Sequence, residues 1–131
     1  MTLLLNILWF ILGGFASGLA WLLGAFLLAI TIVGLPWAAA AARIGLFAFA
    51  PFGRQVVDRR VVSGHEDLGT GCLGVGLNVV WFFLGGWYIA LAHLLVGAVL
   101  FVTILGIPFA LQHFKLAVIA LAPVGKSVVP V

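Results

Sequence analysis

Acidic residues are scarce in this chain. Its only acidic residues are Asp58, Glu66 and Asp67, all in one stretch near the middle. Charged residues of either sign make up 7% of the chain, against roughly 25% in a soluble domain. A surface so poor in charge cannot be coated in water. A single cysteine, Cys72, excludes an intramolecular disulfide and any cysteine-based metal cluster. The sequence has no CxxC, no HExxH and no GxGxxG opening a helix after a strand. Gly13-Gly14 and Gly85-Gly86 lie inside apolar helical runs, where they cradle no phosphate. The hydrophobic runs hold no nucleophile–base pair, no paired carboxylates and no metal set, so no enzyme activity, metal or cofactor is expected.

The basic residues are Arg43, Arg54, Arg59, Arg60, Lys115 and Lys126. They form no polar stripe interleaved with aromatics, so the pI of 9.8 does not point to nucleic acid. They read instead as positive charge beside a membrane. Hydrophobic residues make up 66% of the chain, and lipid is the solvent that fits them. The N-terminus lacks the positive region of a secretory signal, and its motif recurs internally from Leu77, so Leu3 onward reads as mature structure.

The chain is a duplication. With Leu77 placed under Leu5 it aligns with itself without a gap. Leu5-Asn6 matches Leu77-Asn78, Trp9-Phe10 matches Trp81-Phe82, and Leu12-Gly13-Gly14 matches Leu84-Gly85-Gly86. Thr31-Ile32-Val33-Gly34-Leu35-Pro36 matches Thr103-Ile104-Leu105-Gly106-Ile107-Pro108, and Ala50-Pro51-Phe52-Gly53-Arg54 matches Ala122-Pro123-Val124-Gly125-Lys126. Asn, Trp, Pro and paired Gly at fixed offsets do not recur through Leu and Ala richness alone. The division expected is repeat one at 1–57, a polar linker at 58–76 and repeat two at 77–131.

The pattern LNxxWFxLGG, then TIxGxP, then APxG[RK]xVV resembles the YccF family of small bacterial inner-membrane proteins. The resemblance covers residues 5 to 129 in both copies. It implies a multi-pass protein of the bacterial cytoplasmic membrane and brings no catalytic residues with it.

Each copy holds one long and one short apolar run. Leu3 to Val33 is about 31 residues, roughly 46 Å as a helix, longer than a hydrocarbon core of about 30 Å. The Gly13-Gly14 pair offers a kink, leaving Phe15 to Val33 as the spanning part. Gly34 and Pro36, like Gly106 and Pro108, end one helix and start the next. The runs Pro36 to Ala50 and Pro108 to Ala122 reach only roughly 22 Å. The fold class expected is an all-α integral membrane protein. It has two tandem two-helix repeats and four transmembrane segments, two long and two short, with re-entrant short runs as the alternative. The positive-inside rule favours four spans, because these put Arg54, Arg59, Arg60 and Lys126 all in the cytoplasm. Within the linker, Arg59-Arg60-Val61-Val62 reads as the end of an extended segment and Ser63 to Asp67 as a turn.

Arg43 and Lys115 occupy equivalent positions inside the short runs, with no acid in either hydrophobic unit. They snorkel to lipid phosphate, or they face water or an anion. His93, Gln112 and His113 make repeat two the more polar one and join them as pore or anion-facing candidates. Asn6 and Asn78 suit capping or interhelical hydrogen bonds, with a filter as the sharper alternative. Thr31 and Thr103 are expected to bond back to their own helices. The tryptophans Trp9, Trp21, Trp37, Trp81 and Trp87 are read in part as interfacial belts. The function expected is a small homo-oligomeric channel or transporter, with anions favoured because the intramembrane charges are all positive. A membrane scaffold or accessory subunit is the competing class.

Overall fold

A computed structural model describes residues 1–131. Helix α1 (Thr2–Trp9) runs through a π-helical turn at Phe10–Gly14 into α2 (Phe15–Ile30), and α3 (Leu35–Phe49) follows. A strand β1 (Arg54–Asp58) and a short helix α4 (Arg59–Ser63) occupy the linker. Then come α5 (Cys72–Trp81), a second π turn at Phe82–Gly86, α6 (Trp87–Val102), α7 (Ile107–Leu121) and β2 (Lys126–Pro130). Gly13 leaves helical geometry inside the first π turn, placing the kink at the paired glycines.

Two compact units result, Met1–Leu77 with Pro123–Val131, and Asn78–Ala122. In the first, α2 and α3 form an antiparallel hairpin. Its seam carries Gly18, Trp21 and Ala25 on α2 and Ala38, Ala41, Gly45 and Ala48 on α3, all buried. Small residues at helical spacing let the backbones approach closely, which is how helices associate where lipid removes the hydrophobic drive. At the open end the Trp9 indole donates to Ala48 O at 2.6 Å. Asn6 pairs with the Phe52 backbone twice, donating to its carbonyl at 3.1 Å and accepting from its N–H at 2.9 Å. The second unit repeats the hairpin, with Ala90, His93 and Gly97 on α6 and Ala110, Ala117 and Ala120 on α7 buried. The Trp81 indole donates to Ala120 O at 2.8 Å.

The two closed ends share one construction. Thr31 donates its hydroxyl to Leu28 O at 2.6 Å and accepts from Gly34 N. The N–H groups of Thr31, Ile32, Val33 and Leu35 all bond to carbonyls of the same turn. Thr103 makes the same two bonds to Leu100 O and Gly106 N, and the N–H groups of Thr103, Ile104, Leu105 and Ile107 are bonded likewise. Thr31 and Thr103 thus bond back to their own helices. Ile32 and Ile104 take φ of +63° and +61°, a region costly for a β-branched residue.

The structure corrects the all-α expectation. β1 and β2 form an antiparallel ribbon in the first unit, with Val56 opposite Val128. These are the same position in the two copies, so the ribbon pairs each repeat's tail with the other's. The Val56-Val57 and Val128-Val129 pairs supply its β-branched residues. Arg59 to Val62 is helical rather than extended, because Asp58 caps α4 by accepting from Arg60 N at 2.9 Å. Helix α5 also begins at Cys72, inside the stretch assigned to the linker. Trp9, Trp21 and Trp81 are buried rather than belted at an interface, while Trp87 is exposed.

Candidate functional site

Arg43 projects from α3 in the first unit, half-buried, and donates to Lys126 O at 3.0 Å. That bond ties the hairpin to the start of β2. The Arg59 and Asp67 charges also act on it, so the linker brings an acid within reach that the hydrophobic runs do not contain. Arg59 binds Asp67 side-on, with N–O distances of 2.6 and 3.1 Å. Asp67 Oδ1 also accepts from Gly69 N at 2.8 Å and Thr70 N at 3.2 Å. The Arg59 bond, then these amides, hold its carboxyl below the usual carboxylate range. Arg60 hydrogen-bonds both Asp58 oxygens at 3.0 Å and holds that carboxyl down at about 2. Arg59 and Arg60 are thus both paired with linker acids beside the ribbon.

The polar residues of the second unit gather on its two helices. The rings of His93 (α6) and His113 (α7) meet with Nδ1 atoms 3.0 Å apart. Gln112 is buried, and its Oε1 has no hydrogen-bond donor. Lys115 lies half-buried two residues beyond His113. Gln112, His113 and Lys115 thus place three polar groups within four residues of α7, where α3 has Ala40, Ala41 and Arg43. The alignment with Trp21 and Ala41 was the available signal for the histidine contact. The two rings lie 20 residues apart in the chain, and only the packing of α6 on α7 joins them.

Of the other candidates, Asn6 is a structural clasp on Phe52. Asn78 lies half-buried within α5, away from its start. Gly34 and Gly106 sit at the helix starts, and Pro36 and Pro108 lie in the first turns. An open apolar groove in the first unit, lined by Asn6, Ile7, Phe10, Ile11, Phe49 and Ala50, converges no charged groups.

Two long helices apolar enough to cross a membrane, each followed by a short apolar one, give a doubled architecture of two helical hairpins. The model of the YccF family, described as an inner membrane component domain, matches twice, over residues 4–54 and 76–126. The chain belongs to that family. Inner membrane protein YccF of Escherichia coli (strain K12) is 39% identical, over 100% of this chain and 89% of the relative. Its Shigella flexneri counterpart matches to the same extent. No solved structure matches. The protein is therefore placed in the bacterial inner membrane, as the motifs implied.

Proposed function

We propose that the chain is a subunit of a small oligomeric ion channel or transporter whose hairpins insert tip-first from the cytoplasm. The observation that carries the transport reading is the polar patch of α7. Placing Gln112, His113 and Lys115 at membrane depth is costly, and such residues mark ion or substrate paths more often than lipid-facing surface. Repeat one builds the same hairpin with Ala40 and Ala41, so the fold does not require Gln112 or His113.

The geometry of each hairpin supports the insertion. In the first unit the N-terminus, the linker and β2 all sit at the open end, where the charges are. The tips carry no charge, expose Ile32 (74%), Val33 (79%), Ile104 (74%) and Leu105 (87%), and satisfy their own backbone donors. Hydrocarbon demands that combination. In water, Gly or Asn would fill the left-handed position without strain. Four inserted helices follow, with both hairpin ends on the arginine-bearing side.

One chain encloses little aqueous space, so the path forms between chains in a closed cyclic assembly. Lys115 supplies its positive potential. Arg43, bonded to Lys126 O, contributes to structure first. Purified protein in liposomes is expected to pass small anions in preference to cations, and Lys115→Gln is expected to lower that preference severalfold while Arg43→Gln lowers folded yield. A wild-type protein that stays strictly monomeric in lipid and passes no ion at any voltage would favour the scaffold reading.

A further inference from the structure

We infer that His93 and His113 form a one-proton binding site between α6 and α7. Two neutral imidazoles with Nδ1 atoms 3.0 Å apart hydrogen-bond only if one carries its proton on Nδ1 and the other on Nε2. The contact therefore fixes complementary tautomers. The ring that donates from Nδ1 has its unprotonated nitrogen at Nε2, and an incoming proton binds there. The ring becomes an imidazolium whose Nδ1–H still points at its neutral neighbour. That bond is now charge-assisted and stronger. The bridging proton can pass to the other Nδ1, which moves the positive charge to the second ring without adding or losing a proton. A second proton has no such place. It would set two N–H groups and two positive charges face to face, so the pair accepts one proton and resists the next.

Packing alone does not account for these residues. The seam positions of His93 and His113 correspond to Trp21 and Ala41 in the first unit, both buried. One copy fills the two places with a tryptophan and an alanine, and the other fills them with two imidazoles. Ala110, Ala117 and Ala120 continue the small-residue stripe on either side of His113. Gly97 leaves room beside it, since a Cβ there would lie 3.3 Å from the His113 Cβ. The other titratable groups of α6 and α7 are Tyr88 and Lys115. The π turn at Phe82–Gly86 packs on both helices and has none, and no carboxylate lies in 78–122. The second imidazole is thus the group placed to share the added charge. The inference does not rest on the transport reading, because proton uptake is read directly.

The test uses full-length protein with His65→Asn, which removes the exposed linker histidine, labelled with 15N-histidine in phosphatidylethanolamine–phosphatidylglycerol bilayers. Solid-state NMR is expected to show one Nδ1–H and one Nε2–H ring at high pH, with a correlation between the two Nδ1 nuclei. On acidification both rings should change together as one proton is bound per chain. His113→Ala in the same background should abolish the correlation and leave His93 titrating as a single ring. A His93→Trp, His113→Ala variant, carrying the residues of repeat one, is expected to retain the hairpin. Two imidazolium rings formed in separate steps while the protein stays folded would overturn the inference. So would two rings that remain neutral until it unfolds, or two rings of the same tautomer at high pH.

Discussion

Gly125→Ala is expected to destabilise the protein by about 3 kcal/mol, a fall on the order of 10 °C in thermal midpoint. Gly125 has φ of +84°, and an added Cβ would press on the carbonyl of Gly69. Both objections are backbone ones, and no side-chain rotation relieves them. The site is also where the linker docks, because Arg59 N donates to Gly125 O at 2.9 Å beside the Arg59–Asp67 pair. Gly64→Ala is the control. Gly64 has φ of +78° and open space around it, so it reports strain alone, about 1 kcal/mol. The measurement is loss of monodisperse protein on heating in mild detergent. Equal shifts for the two variants would show that the Gly69–Gly125 approach contributes nothing.

Asn6→Ala is expected to cost a similar amount, about 3 kcal/mol, by removing the two hydrogen bonds that Asn6 makes to the Phe52 backbone. Phe52 is buried, so water does not readily replace the lost partner. Asn6→Asp distinguishes a clasp from a filter. The carboxylate keeps the acceptor for Phe52 N but turns an acceptor towards Phe52 O, so the near-isosteric variant should be at least as damaging as alanine. The measurement is the same heating assay. If Asn6→Asp keeps wild-type stability and alters ion preference instead, the residue lines a path.

The hairpins were legible because their determinants are local. Gly-x-Pro turns, paired glycines and apolar run lengths act over a few residues, and duplication displayed each of them twice. The ribbon was not legible. Each strand is five residues long, and the only partner of Arg54–Asp58 lies at the opposite end of the chain. A pair of valines next to arginine carries no record of that partner. Arg43 looks from sequence like an intramembrane cation for the same reason, since its acceptor is a backbone carbonyl at Lys126 and sequence does not encode where a carbonyl will be. The histidine contact lay between these cases. The repeat alignment marked both positions as departures from an apolar seam, but joining them needed the facing stripes of α6 and α7. The tips reverse the pattern. Thr31-Ile32 and Thr103-Ile104 were visible as repeats, yet only the positive φ of isoleucine shows that an apolar residue holds a place where glycine would be easier.

The insertion of the hairpins is tested most directly by cysteine accessibility. In a Cys72→Ser background, Val33→Cys and Leu105→Cys place thiols at the two tips, and the parent chain's Cys72, exposed at the start of α5, reports the linker. In inside-out vesicles a membrane-impermeant maleimide is expected to label Cys72 and neither tip. In intact spheroplasts it should label none of the three, and all three should react once the protein is denatured in detergent. Labelling of Cys72 from outside, or of either tip from the cytoplasmic side, would contradict tip-first insertion from the cytoplasm. Ready labelling of a tip from outside would show that the turn stands in water, against the apolar, self-bonded construction of both closed ends.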